Sequence, residues 1–353
     1  MINIAVIGCG YWGPNHIRNF VQLPNSNMLK CCDKDVKKLE RIKSLYPTVK
    51  ATTDANEIFE DPRIDAVCIA TPVFSHYKLV RAALSHGKHV LVEKPMTHSV
   101  RSAMSLIRLA EKNQLVLMVG HTFEYTAAVN RIKEIIESGD IGEPLYISSV
   151  RLNLGLFQPD INVCWDLAPH DISIINYLLE KTPVSVNCQG QSHFRHGIED
   201  VTNMTLNYDN GIIAFVASSW LDPNKVRQTT IVGSKKMLVY NDIEPQEKIK
   251  IFDKGVDAPP YYDTFGDFQF SYRYGDILSP RVEDYEPLRR QNEHFLECIE
   301  EDKQPRSDGR SGMRVVSILE AASRSLHQDG RAVPVLFPHD LQPSLPIIET
   351  AVA

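Results

Sequence analysis

Short apolar runs alternate with amphipathic stretches through the first third of the chain. Residues 4–7 are apolar throughout, and residues 28–32, 66–70, 90–92 and 115–119 repeat the pattern. Between them, residues 15–21, 36–45, 77–85 and 100–113 carry helical periodicity. Runs that are apolar on both faces suit strands of a sheet covered by helices on both sides. Strands that alternate with helices pair in parallel through right-handed crossovers.

The pattern changes after Gly120. A helix over residues 127–138 is stopped by Gly139. Longer segments with period-two or mixed alternation follow at 145–153, 184–194, 201–208, 212–220, 228–232 and 236–240. Asp209-Asn210-Gly211 between two of them is a hairpin turn signal. A helix is predicted over residues 169–179, and two more over 284–301 and 309–327. Residues 253–280, rich in Tyr, Phe, Asp and Gly, read as an ordered loop region with short strands. The 353 residues exceed what one core usually serves. The expected class is α/β: a first domain, residues 1–122, on a parallel sheet, and a second α+β domain, residues 123–353, on a mostly antiparallel sheet.

Composition narrows the partners. Net charge is −6, which favours neither nucleic acid nor an anionic membrane surface. No apolar run reaches the roughly 18–20 residues that span a bilayer. Met1-Ile2-Asn3 leads straight into an apolar strand without the features of a secretion signal, so a cytoplasmic protein is expected. The seven cysteines are odd in number and form no C-x-x-C pair; they read as reduced, mostly buried thiols. No His/Cys/carboxylate cluster has zinc spacing, and no metal is expected.

Gly8-Cys9-Gly10-Tyr11-Trp12-Gly13 follows the first strand and opens the first helix. In G-x-G-x-x-G the first glycine permits the tight turn, the second lets backbone approach a pyrophosphate, and the third lets helix and strand close together. The helix N-terminus then faces the phosphates. Asp33 comes twenty positions after Gly13, at the end of the second strand. A carboxylate there accepts from the adenosine ribose hydroxyls and repels a 2′-phosphate, which favours NAD over NADP. Lys34 argues for tolerance of that phosphate. Gly8, Gly10, Tyr11, Trp12, Gly13 and Asp33 form the first candidate cofactor set. Trp12 either flanks the cofactor or packs on the helix.

Glu93-Lys94-Pro95 ends another strand, at the sheet edge where open parallel sheets bind ligands. A lysine there can donate to a substrate hydroxyl and favour its alkoxide. Asp166 and His170 stand four residues apart before the apolar positions Ile172, Ile175, Leu178 and Leu179. Pro169 predicts the first helical turn, which puts His170 near the positive dipole end and favours neutral imidazole.

Together these motifs resemble the Gfo/Idh/MocA (glucose–fructose oxidoreductase/inositol dehydrogenase) family. The resemblance covers nearly the whole chain. It includes Gly8–Gly13, Asp33, Ala70-Thr71-Pro72 with His76, Glu93-Lys94-Pro95, Val119-Gly120-His121, Asp166-Leu167-Ala168-Pro169-His170-Asp171 and Asp308-Gly309. It implies a Rossmann domain and a C-terminal domain whose open sheet forms a homo-oligomer, dimer or tetramer. It implies that Thr71, Pro72 and His76 lie along the cofactor and that Glu93 and Lys94 reach the nicotinamide ribose. His76 alone would otherwise read as a surface histidine at a helix start. The resemblance further implies His170 as the base, Asp166 as its partner or a sugar contact, and Lys94 as electrostatic assistant.

Tyr125, Arg151, Asn153 and residues 155–163 are candidate substrate contacts. Arg151 suits a phosphate or uronate, or simply faces solvent. Gly10–Asn15 and Trp165–His170 are similar to family members that oxidise nucleotide sugars for cell-surface polysaccharide or lipid A synthesis. The best-fitting activity is oxidation at C3 of UDP-N-acetylglucosamine or its uronate. A dehydrogenase of a free polyol such as inositol, and a non-catalytic NAD sensor, are the alternatives.

Overall fold

The apolar runs of the first third line up as a parallel sheet in the computed structural model, which describes residues 1–257 and 271–337. Strands β1 (Ile2–Ile7), β2 (Ser26–Cys32), β3 (Lys50–Thr52), β4 (Ala66–Ile69), β5 (His89–Glu93) and β6 (Leu117–Gly120) lie in the order β3-β2-β1-β4-β5-β6. All neighbours are parallel. The connecting helices are α1 (Gly13–Gln22), α2 (Val36–Leu45), α3 (Asn56–Phe59), α4 (Val73–Ser85) and α5 (Val100–Lys112). Strand order reverses between β1 and β4. The crevice above that point is where such sheets bind ligands. The short β3 and α3 were not predicted, because three and four residues carry no readable period.

The second unit begins with a 3₁₀ turn (Thr122–Tyr125) and α6 (Ala127–Glu137), then β7 (Pro144–Leu152) and α7 (Val163–Leu179). Strands β8 (Ser185–Gln191), β9 (Val201–Asn207), β10 (Ile213–Ser219), β11 (Val226–Gly233), β12 (Met237–Asn241), β13 (Ile249–Asp257) and β14 (Ser271–Leu278) follow. The chain then forms α8 (Pro287–Glu300), α9 (Gly309–Leu326) and β15 (Val333–Pro334). Among the described residues the sheet runs β14-β13-β12-β11-β7-β10-β9-β8-β15. Its pairs are antiparallel except β7 with β10. One face packs Ile147, Val216 and Ile231 against Ile172, Ile175 and Ile318 of α7 and α9. Tyr146, Ile213 and Phe215 are exposed.

Two expectations are corrected. The region read as loop with short strands holds two long ones, β13 and β14. Ser271–Leu278 is largely exposed, so no buried alternation marks it. The rest of that region, residues 258–270, lies outside the described residues. Helix α7 starts at Val163, not at Pro169. Asn162 is its cap, its side chain accepting from Trp165 N at 3.1 Å. Pro169 is inside the helix, where it leaves the Trp165 carbonyl without its helical donor.

Helices α8 and α9 return to the first unit. Phe295 and Leu296 share a core with Ile4, Val6, Ile17 and Phe20. Arg18 of α1 pairs bidentately with Glu286, next to α8. Met313 and Val316 of α9 pack with Met96 and Val119. Gly312 makes that approach possible, since a Cβ there would stand 2.5 Å from Val119 Cγ2. A division at residues 122/123 therefore leaves α8 with the second unit in sequence while it packs on the first in space. No described helix is long and apolar enough to cross a membrane.

Phe295→Ala tests this return. Losing a fully buried ring in the first core should cost about 3–5 kcal/mol in urea unfolding. A loss under about 1 kcal/mol would show that α8 is not part of that core.

Candidate active site

The three glycines of the loop do different things. Gly8 has φ +98°, and a Cβ there would stand 2.4 Å from the Ala70 carbonyl oxygen. A Cβ on Gly13 would stand 1.8 Å from the Gly8 carbonyl oxygen. Among the described residues nothing lies within 4 Å of the Cβ position of Gly10. Two glycines thus serve internal packing, and the middle one borders open space at the N-terminus of α1, as a pyrophosphate cradle requires.

Asp33 Oδ2 accepts from Cys9 N at 2.7 Å, and Oδ1 from Asp35 N at 2.9 Å. The carboxylate therefore steadies the glycine loop as well as standing at the end of β2. Lys38, not Lys34, is the cation paired with it, at 3.9 Å. Tyr11 is exposed and Trp12 half-exposed, their rings edge to face at 5.3 Å. Thr71 and Pro72 lead from β4 into α4, with Pro72 as the cap residue. His76 is buried, not a surface histidine. Its ring spans from Thr71 O (2.7 Å) to Pro95 O (2.9 Å), tying the loop after β4 to the loop after β5. Burial lowers its pKa against the pull of those carbonyls.

Glu93 is buried beneath the site. Oε1 meets His16 Nε2 at 2.9 Å, and Oε2 accepts from Lys94 N at 3.2 Å. His16 Nδ1 continues to Asn292 Oδ1 of α8 at 3.1 Å. Burial opposes the charge on Glu93, but His16 and Lys94 outweigh it and hold the carboxyl below its ordinary range. Sequence reasoning missed His16 and Asn292. Their residue types carry no motif, and only α1 and α8 packing together brings them to Glu93.

Lys94 crosses to the second unit. Its Nζ donates to the Asp166 main-chain oxygen at 2.7 Å and lies 3.7 Å from Asp166 Oδ1. Trp220 Nε1 donates to Asp166 Oδ2 at 3.1 Å. His170 follows one turn later, with Phe123 edge-on at 5.0 Å. Among the described residues its ring nitrogens have no hydrogen-bond partner. Burial first, then Lys94, Arg151, His121 and Arg227, push its pKa well below the usual 6.5. The imidazole is neutral as expected, but by burial and surrounding cations rather than by a first-turn position. Trp220 and Phe123 are the neighbours that sequence reasoning missed.

Two substrate candidates are placed otherwise than expected. Arg151 is buried and spent on Asp171 through Nε at 2.7 Å and Nη2 at 3.1 Å, its guanidinium over the Phe123 ring at 4.6 Å. It neither faces solvent nor is free for a phosphate. Tyr125 is buried in the first core, its hydroxyl 3.2 Å from Ser307 Oγ. Asn153 is part-buried, its main-chain N–H on Ser219 O at 3.2 Å. Beside it, Leu154 and Leu156 are exposed, and Phe157 packs against Trp220 and Phe194 at 5.3 and 5.5 Å. Among the described residues no group of three His, Cys, Asp or Glu side chains is placed to hold a metal.

The family described as "Oxidoreductase family, NAD-binding Rossmann fold" matches residues 2–121, and the GFO/IDH/MocA C-terminal domain matches residues 129–239. A UDP-N-acetylglucosamine 3-dehydrogenase of Acidithiobacillus ferrooxidans is 26% identical, covering 89% of this chain and 93% of its own. The scyllo-inositol 2-dehydrogenase (NAD(+)) of Bacillus subtilis is 25% identical, covering 86% and 88%. The solved structure of an Agrobacterium radiobacter oxidoreductase in complex with NAD+, L-tartaric acid and magnesium shares the fold. Its TM-score is 0.77 at 22% identity, with 95% of this chain and 98% of that one covered.

Two outcomes test the site. Gly10→Ala should leave stability within about 0.5 kcal/mol yet abolish most NADH binding, whereas Gly13→Ala should cost about 3 kcal/mol through overpacking. Equal Tm losses would refute the division of labour between these glycines. In a histidine-selective NMR titration, the His170 signal should stay in its neutral form from pH 8 down through 6.5. A midpoint at or above 6.5 would contradict the environment described here.

Proposed function

The chain belongs to the GFO/IDH/MocA oxidoreductase family, and within it we propose a nucleotide-sugar dehydrogenase that oxidises a sugar hydroxyl, best C3 of UDP-N-acetylglucosamine or its uronate. NAD is the cofactor of its Rossmann unit. The reading rests on one observation: Lys94 from the first unit and Asp166 and His170 from the second converge at the sheet edge.

The chemistry divides simply. NAD+, when held at the glycine loop and Asp33, would supply the acceptor for the hydride of the substrate carbon. Neutral His170 takes the hydroxyl proton at a ring nitrogen, and the C–O bond becomes C=O. The Lys94 ammonium stabilises the negative charge that develops on that oxygen. The Asp166 carbonyl and carboxylate hold Lys94 in place, and Trp220 holds Asp166. Gly10 and Asp33 face the cofactor on a loop that Gly8 and Gly13 shape, Thr71 and Pro72 lie along it, and His76 and Glu93 hold the neighbouring loops in place behind it. Arg151 and Tyr125 act behind the site as supports.

The choice of a nucleotide sugar over a free polyol is supported by Leu154, Leu156, Phe157 and Phe194. Phe157 packs against Phe194 and against Trp220, which reaches Asp166, and Leu154 and Leu156 are exposed on the same segment. An aromatic platform of that kind suits a stacked base and gives nothing to an inositol. The exposed Tyr146, Ile213 and Phe215 support assembly of two or four copies through the second sheet.

Formation of NADH with UDP-N-acetylglucosamine, its uronate, myo-inositol and scyllo-inositol decides the substrate. Turnover is expected with a UDP-sugar; turnover with the inositols alone overturns the reading, and turnover with none favours an NAD sensor. On the active substrate, His170→Asn should lower kcat by about 10²–10⁴ while NADH still binds. Near-normal kcat would remove His170 as the base.

A further inference from the structure

His121 is buried, 1% exposed, yet among the described residues neither of its ring nitrogens has a hydrogen-bond partner. Such orphans are costly and uncommon, and each calls for an explanation. Its position is well defined. Glu93 pairs with Gly120 across β5 and β6, so the next residues, Lys94 and His121, leave the sheet edge side by side. The His121 N–H turns back onto Val119 O at 2.8 Å. The Glu93 carboxylate beside it is committed to His16 and to Lys94 N.

The state of the ring narrows its partner. Burial, with Lys94 adding to it against Glu93, pushes its pKa down to about 4. At neutral pH it offers one N–H and one bare nitrogen. The two nitrogens point away from each other, so one group meets one of them. A phosphate or a carboxylate could meet only the N–H, and an ammonium only the bare nitrogen. A primary carboxamide carries an acceptor and a donor and can meet whichever nitrogen faces it.

Sheet order points to one such group. From β2 to β6 the order is β2-β1-β4-β5-β6, with Asp33 after β2, Gly10 after β1 and His121 after β6. With the adenosine ribose on Asp33 and the pyrophosphate at Gly10, a dinucleotide extended across the edge brings its nicotinamide to the β5–β6 side. We propose that His121 is the hydrogen-bonding partner of the nicotinamide carboxamide, fixing which face of that ring meets the substrate. The proposal is independent of which sugar or polyol is oxidised, but it rests on Asp33 marking the adenosine end.

ADP-ribose isolates the effect, because it carries the adenosine and both phosphates and lacks the nicotinamide. Dissociation constants for NAD+ and ADP-ribose are measured by calorimetry on the full chain and its variants. His121→Phe should weaken NAD+ about tenfold and leave ADP-ribose within about twofold, with His121→Gln in between. The Tm of the unliganded His121→Phe protein should not fall, since an apolar ring removes two orphaned groups. In the wild type, the [15N]histidine ring signals of His121 should move with NAD+ and not with ADP-ribose, a readout that needs no variant to fold. Equal weakening of both ligands, or of neither, overturns the proposal. So does a change confined to the KM of the sugar, which would make a substrate hydroxyl the partner. An Asp33→Ala variant that binds ADP-ribose normally would instead remove the adenosine assignment.

Discussion

A carboxylate sealed inside a protein is tolerated only when charge and hydrogen bonds meet it from several sides. Glu93 is such a group, and the rest of the site is arranged around it. His16 reaches it from the helix that follows the glycine loop, and His16 is itself held by Asn292, 276 residues further on. The pyrophosphate cradle, the end of β5 and α8 are thereby tied at one buried point. Lys94 is the next residue. Its backbone N–H also sits on Glu93, which leaves only its side chain to reach across to the second unit. Removing either partner of Glu93 would leave an uncompensated charge and loosen all three elements together.

The second constraint is electrostatic. A general base must be uncharged before it can act, and a helix interior gives no dipole assistance comparable to a helix end. His170 is pushed towards the neutral form first by burial and then by the positive charge around it, while the balancing negatives are spoken for. Arg151 is bound to Asp171 on the same helix, and Lys94 to Asp166. The buried Arg151–Asp171 pair is thus neutral in sum, yet it places its cationic end behind Phe123 and towards His170. A ligand role for Arg151 would require breaking that pair, at a cost that burial makes large.

How much of this was legible in the chain follows from the range of the interactions. The fold class is a matter of local patterns, and it read correctly from the alternation of strands and helices, although the short β3 and α3 escaped it. Lys94 could be found because it ends a strand. The start of α7 could not be placed from Pro169, because proline in a helix interior is tolerated where the freed carbonyl is accommodated. Asn162 was the true cap and was passed over. His16, Asn292 and Trp220 have no sequence signal at all: each acts through a partner between 54 and 276 residues away. Arg151 was misjudged for the same reason, since nothing on its strand announces Asp171.

This difference in range also explains why relatives with unlike substrates resemble the chain equally. Lys94, Asp166 and His170 sit on a strand end and a helix. Their placement is dictated by sheet register and by helix packing, which a sequence cannot change without losing the fold. Leu154, Leu156 and Phe157 lie between β7 and α7, outside any strand or helix, where substitution costs the fold little. A likeness of 25–26% to a UDP-sugar dehydrogenase and to an inositol dehydrogenase therefore carries the reaction and not the substrate. In the proposed reading the reaction is written in residues the fold must hold still, and the substrate in residues it leaves free to vary.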